Sequence, residues 1–359
     1  MNSIQRHILS ELFITALVAL VAVNFVLMTE KVFRMTIMLV YVGADMTDIF
    51  RLIVYLQPQI MLITVPMALM VSILVTYGRM HAESEVVVLR TSGMSFGALA
   101  APAFVLGALC FGIGLLNSFA LSPWGVREMS RRVTEILSSR AEYAIEPGVF
   151  STTFKDMVLY VEGKPEGSRT FRGLFIHDGR DPARPLVLYA EEARTLGSDG
   201  ASIGFELYNG SIEQVRGADV THLSFDRYEI SFPLLVTDKT YRHNKFNIMS
   251  PGDLWAAAAL AAPGRDRAQF LVEFHRRMTM PAVCLLIMVF SVPLSLRAGR
   301  AGGFGGVALG LFVFAAYYGL MIYFEGLVVS GALPHYAAWA PALILGALSL
   351  RLYRREARR

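Results

Sequence analysis

Lys31 and Arg34 stand three residues apart at the end of one apolar run, and Arg276 with Arg277 stand at the start of another. Basic groups so placed can snorkel to the headgroup layer as anchors. They can also gather an anion, because Arg and Lys hold phosphate through charge-assisted hydrogen bonds. Singly, each reads as an anchor. Together they form a candidate clamp for a substrate with phosphates at headgroup level and acyl chains in the membrane.

A second charged cluster lies in "HAESEVVVLRTSGMS", His81 to Ser95, a short helical stretch between two long apolar runs. On a helix Glu85 has His81 four residues before it and Leu89 four after, so it is left without a firm partner. Glu83 can reach back to Arg79, and Arg90 has no acid three or four residues away. Such charges around Val86, Val87, Val88 and Leu89 suit a helix that docks into a groove on another protein. They equally suit a solvated loop helix under its own bundle, and these features alone leave both readings open.

Catalytic constellations are missing. The seven histidines are scattered, and the chain has no HExxH, paired-cysteine metal motif or GxSxG. "HAESE" offers a single histidine, too few for a metal site, so neither metal nor cofactor is expected. The phosphate-cradling GxxxxGK[ST] loop is also missing. "GRAGGFGG", Gly299 to Gly306, lacks its lysine and preceding strand and reads as a flexible turn permitting close helix packing. If the protein pumps, a partner hydrolyses ATP. Cys110 and Cys284 lie in apolar runs and read as packing residues.

The elements that must position these groups are membrane spans. A chain of 359 residues that is 54% hydrophobic and 17% charged is too apolar for an ordinary soluble domain. Six runs reach the length needed to cross a bilayer: Ile8 to Met28, Gln57 to Tyr77, Phe96 to Leu121, Met278 to Leu296, Gly303 to Phe324 and Ala332 to Leu350. The first lacks a convincing cleavage site and outlasts a signal-peptide core, so it reads as a retained span. Arg6, Arg79, Arg90, Arg297, Arg300 and the tail "RLYRREARR" fall on one side if both termini are cytoplasmic. Residues 122–277 are then external. The net charge of +4 is modest and concentrated at membrane borders, so nucleic acid is not expected as a partner.

The sequence thus divides into spans one to three over 1–121, with the short charged helix at about 80–95. A helical connector follows over 122–146, in which Val126, Met129, Val133, Ile136 and Leu137 recur at helical spacing. A β domain occupies 147–245, a second connector 246–277, and spans four to six with the tail 278–359. Strand candidates are "DMVLYVEG", "FRGLFIHD", "LVLYAEEARTL", "SIGFELYNGSIEQV" and "HLSFDRYEISF", which together suggest a sandwich or jellyroll. Asn209-Gly210 is a strong hairpin signal. The apolar phase slips in the last strand, from Leu223 and Phe225 to Tyr228, Ile230 and Phe232, as a bulge near Asp226 and Arg227 would produce. Ser250, Pro251 and Asp253 form a helix start, and Pro263-Gly264 a break.

"GRMHAESEVVVLRTSGMS", "SPWGVRE", "EFHRRMTMPAVCLLIMVFSVPLS" and the 3 + β + 3 layout resemble the LptF/LptG permease family of the lipopolysaccharide exporter, its LptF branch more than its LptG branch. The resemblance covers essentially the whole chain. It implies an α-helical inner-membrane protein with six transmembrane helices (3+3) and an inserted periplasmic jellyroll-like all-β domain. It implies pairing with a second LptG-like permease, docking on a cytoplasmic LptB-like ATPase dimer, and delivery of lipopolysaccharide to LptC/LptA-like periplasmic bridge proteins. Glu85 then matches the coupling-helix glutamate, with Glu83 and Arg90 in the same helix. Lys31 and Arg34 match basic positions facing lipid A phosphates, whereas the family pattern leaves Arg276 and Arg277 without a settled role. Ile203, Phe205, Leu207, Tyr228, Ile230 and Phe232 are candidates to line the jellyroll. The rival readings are a lipoprotein-releasing or macrolide-export (MacB-like) permease, against which the 3 + 3 split argues, and a non-transporting scaffold or sensor.

Overall fold

The six apolar runs become six helices long and apolar enough to cross a membrane. The computed structural model describes residues 2–41, 45–140, 147–150, 157–163, 165, 170–179, 186–198, 202–216, 219–233, 246–298 and 302–358. Helices α1 (Ser3–Tyr41), α2 (Met46–Ala82), α3 (Glu85–Thr91), α4 (Phe96–Leu116) and α5 (Ser122–Arg140) come first. A π-helical turn, Asn117–Leu121, joins α4 to α5 without a break, so the amphipathic connector prolongs the third span. Strands β1 (Met157–Gly163), β2 (Thr170–Asp178), β3 (Leu186–Ser198), β4 (Ser202–Arg216) and β5 (Asp219–Pro233) follow. The chain ends with α6 (Pro251–Leu260), α7 (Arg265–Ala298), α8 (Gly302–Val329), a 3-10 turn (His335–Trp339) and α9 (Ala340–Ala357).

Two compact units result, one of residues 1–32, 54–126 and 246–359, the other of residues 33–53 and 127–245. The start of α6 is as read from sequence: Ser250 caps it, Pro251 is its first residue, and Ser250 and Asp253 close a reciprocal capping box. The second break also falls as expected, with Gly264 separating α6 from α7 at a φ of 156°. Of the "GRAGGFGG" stretch, residues 299–301 lie outside the described residues, and Gly302 opens α8.

Close approach and proline govern packing in the helical unit. In lipid, helices gain little from hiding apolar surface and associate through tight contacts. Gly107 of α4 admits Met288 of α7 so closely that a Cβ would sit 2.6 Å from its sulfur. Cys284 is buried in the surrounding core with Leu12, Ile73, Tyr77, Leu99 and Phe290, and Cys110 packs against it. Each proline inside a helix frees the carbonyl four residues earlier, and two such carbonyls have found donors. Pro102 frees Ala98, whose oxygen accepts from Gln5 Nε2 at 2.9 Å. Pro281 frees Arg277, whose oxygen accepts from Ser118 Oγ at 2.9 Å. Ser118 lies in the π turn, so that turn bonds span three to span four.

The strands form one antiparallel sheet in the order β1-β2-β3-β4-β5 among the described residues. All five strand candidates are strands, but the hairpin expected at Asn209-Gly210 is not there. Both residues lie inside β4, which runs unbroken through them. The expected register-shifting bulge near Asp226 and Arg227 is likewise replaced by something larger. Register is the same on both sides of a row that crosses the sheet, Glu162, Gly173, Glu191, Asn209 and Asp226, and none of the five joins the ladder. Across that row the buried face changes parity: Phe171 gives way to Leu174 and Ile176, Ala190 to Ala193, and Phe205 and Leu207 to Ile212. Every strand carries the same extra residue, so the sheet creases without slipping. Gly173 and Asn209 supply the left-handed backbone at φ 61° and 48°. The turn propensity of Asn-Gly is therefore real and is used within a strand.

Candidate functional site

The residues read as a docking element gather at one end of the helical unit. Helix α2 ends at Ala82, and Ser84 takes a left-handed conformation at φ 63°, so the chain bends before α3 begins at Glu85. Val86 is buried in the core, while Val87 and Val88 are exposed. The bend alters the expected pairing. Glu85 is not left alone, because the turn carries it toward Arg79, whose Nη1 lies 3.5 Å from Glu85 Oε1. Glu83 reaches back to Arg79 as its spacing predicted. The third carboxylate on Arg79 belongs to Glu11 of α1, bound at 2.6 and 3.0 Å. Arg79 thus serves three acids while 40% exposed.

Beside α3 opens a groove of about 640 Å³, lined by His81, Val86, Val87, Arg90, Thr91, Leu296, Arg297 and Glu356. Its far wall is fixed by Arg297, which holds Glu356 at 2.6–2.7 Å. Arg90 makes no ion pair among the described residues and lies with its guanidinium 5.9 Å from the centroid of the Phe96 ring. Chemically the groove offers a charged rim around two valines, a surface suited to a protein rather than to a reacting small molecule. No group of three or more metal-ligating side chains occurs among the described residues.

The basic residues read as a clamp divide into three situations. Lys31 is exposed on α1, and the side chain of Arg34 lies outside the described residues. Arg276 binds both oxygens of Glu325, one at 2.9 Å, and reaches Glu273 at 3.4 Å. Arg277 is buried and already committed: its guanidinium donates to the carbonyls of Phe246, Asn247 and Met249 and to Glu273. That group fastens the returning chain to α7, and most of its donors are spent there.

On the sheet, Phe205 and Leu207 are buried, and Ile230 packs partly buried against the same core. Tyr228 pairs across from Leu207 and stays 37% exposed. The side chains of Ile203 and Phe232 lie outside the described residues. On the same side of the crease the opposite face carries charge, where Arg227 meets Glu206. There the Tyr208 phenol is pushed up chiefly by its hydrogen bond to Glu206.

Sequence reasoning missed Glu11, Glu325 and Asp48. Asp48, buried in the first turn of α2, binds Arg132 of α5 at 2.6 Å. Glu11 lies inside the first apolar run and Glu325 directly follows the fifth, and a carboxylate so placed is itself a signal that a cation stands opposite.

A model of the lipopolysaccharide export system permease LptF/LptG family matches residues 6–355. The chain is 24% identical over 262 residues to an uncharacterized protein of Rickettsia prowazekii (strain Madrid E), covering 69% of this chain and 71% of that protein. It is 24% identical over 253 residues to the lipopolysaccharide export system permease protein LptF of Escherichia coli (strain K12), covering 68% of this chain and 65% of that protein. The match to the LptF protein of Shigella flexneri has the same identity and extent. With its six apolar helices and inserted antiparallel sheet, the chain belongs to the LptF/LptG family of lipopolysaccharide export system permeases.

Proposed function

We propose that this chain is the permease subunit that takes lipopolysaccharide from the outer leaflet of the bacterial inner membrane and passes it to a periplasmic jellyroll bridge. A separate LptB-like ATPase dimer supplies the energy, and a second, LptG-like permease completes the membrane part. Both termini and α3 face the cytoplasm, and the β domain faces the periplasm, beside LptC/LptA-like proteins. The observation that carries this reading is α3 itself: a short helix pinned by one buried valine, presenting Glu85, Arg90 and two exposed valines at the rim of a groove. A chain without a nucleotide loop that offers such a surface is suited to receiving force from another protein.

In this mechanism nucleotide-driven closure of the ATPase pair moves α3, with Glu83, Glu85 and Arg90 as its contacts. Because Val86 is packed into the helical core, displacement of α3 reaches α2 and α4 directly. Lys31 and Arg34 attract the phosphates of the lipid, and Arg276 is a further candidate through its exposed edge. Phe205, Leu207, Tyr228 and Ile230, with Ile203 and Phe232, form the apolar path through the β domain.

Purification of the complex from its native membrane tests this reading. An ATPase subunit and a second six-span chain should accompany the protein, and Glu85→Arg should release the ATPase and stop transport. Normal ATPase retention and transport in Glu85→Arg would sink the docking assignment. For the lipid, Lys31→Glu with Arg34→Glu should weaken lipopolysaccharide crosslinking, and unchanged crosslinking would return both residues to the role of anchors.

A further inference from the structure

The 3-10 turn His335–Trp339, which leads into α9, is tied to α7 by a line of three rings. Trp339 Nε1–H donates to His275 Nδ1 at 3.1 Å, and His275 Nε2 lies 2.9 Å from His335 Nδ1. The two imidazole planes are within 5° of parallel and their centroids 5.2 Å apart, the spacing of rings joined end to end through nitrogen. An indole N–H can only donate. His275 Nδ1 must therefore be bare, its proton must sit on Nε2, and His335 must offer a bare Nδ1 in turn. No further proton fits at either junction. Added to His275 Nδ1, it opposes the indole N–H; added to His335 Nδ1, it opposes the His275 N–H, and shifting tautomers only moves the conflict.

We propose that this relay is a proton-operated latch, which holds the 335–339 turn against α7 only while both histidines are neutral. The charged side chains of α7 nearby are Glu273, Arg276 and Arg277, and α8 contributes Glu325; both carboxylates are already bound to these arginines. Asp253 of α6 is engaged with Ser250, and the first charge on α9 is Arg351. The remaining neighbours are rings, Phe274 against His275 at 5.5 Å and Tyr336 against His335 at 5.7 Å. A protonated imidazole thus loses a hydrogen bond without meeting a free counter-ion among the described residues. Imidazole gains its proton as the medium turns acid, so acid opens the latch and frees the turn that begins span six.

The test uses the full chain in detergent micelles, with ¹⁵N-histidine spectra and amide hydrogen exchange read at neutral and mildly acidic pH. Both His275 and His335 should be Nε2–H tautomers at neutral pH, and acidification should lower the protection of 335–339, exchange relative to the intrinsic rate at each pH, by about tenfold or more. The double variant His275→Gln with His335→Gln keeps an acceptor and a donor at each position but cannot titrate, so its protection should ignore pH. An Nδ1–H tautomer at His275, pH-independent protection in the wild type, or a retained pH response of protection in the double variant would each overturn the latch. Should the double variant fail to fold, Trp339→Phe decides: without the opposing indole, His275 should accept its proton at a higher pH, and an unmoved titration refutes the proposal.

Discussion

Arg79 and Arg277 occupy opposite ends of one helical unit and are used in contrary ways. Arg277 lies twenty residues before Arg297, about 30 Å along α7, and Arg297 lines the groove beside α3. At the far end the Arg277 guanidinium is only 4% exposed and bound mostly to backbone carbonyls, which cannot move without moving the chain. At the α3 end Arg79 is 40% exposed and shared among three side-chain carboxylates rather than backbone carbonyls. One end is fastened and the other holds exchangeable partners. The proposed mechanism, in which force enters at α3, calls for that asymmetry.

The comparison breaks most severely at Arg277. Replacing it with Ala leaves Glu273 Oε1 and three carbonyls without this donor, with only Arg276 still near Glu273, and removal of one partner from a buried ionic cluster costs about 3–5 kcal/mol. Thermal unfolding in micelles should drop sharply, and Arg277→Lys should recover only part, because an ammonium cannot fork. Glu325→Gln comes next: it leaves Arg276 with only the longer contact to Glu273, a loss of about 1.5–3 kcal/mol for a hydrogen bond to a charged group. Ser118→Ala should cost about 1–2 kcal/mol by orphaning the carbonyl that Pro281 frees. Smallest in stability is Arg79→Ala, under about 1 kcal/mol for an exposed pair and smaller still at high salt. If Arg79→Ala proves as damaging to unfolding as Arg277→Ala, the two ends are not different in kind.

The spans were legible because a run of about 20 apolar residues has few other uses. Strand positions were legible from their alternation, and so was the phase slip after Phe225. Its meaning was hidden, since only the neighbouring strands reveal that Glu162, Gly173, Glu191 and Asn209 stand in the same row. Asn209-Gly210 misled for a related reason: local propensity specifies a backbone angle, and tertiary pairing decides whether that angle reverses a chain or bends a sheet. Glu85 misled because its pairing was counted along a continuous helix, and Ser84 carries no sign that it will break one. The role of Arg277 had no local signature at all, because the carbonyls it binds belong to a segment some thirty residues earlier.

The crease makes strand length a property held in common by five segments. Remove Asn209 alone and β4 loses its parity change while its neighbours keep theirs. Either Phe205 and Leu207 or Ile212 must then turn outward, or the ladder must slip on one side. Substitution at the row is a local matter, but insertion or deletion there is not. The sheet can be recut only as a whole, one residue from every strand, as cloth is shortened along a fold.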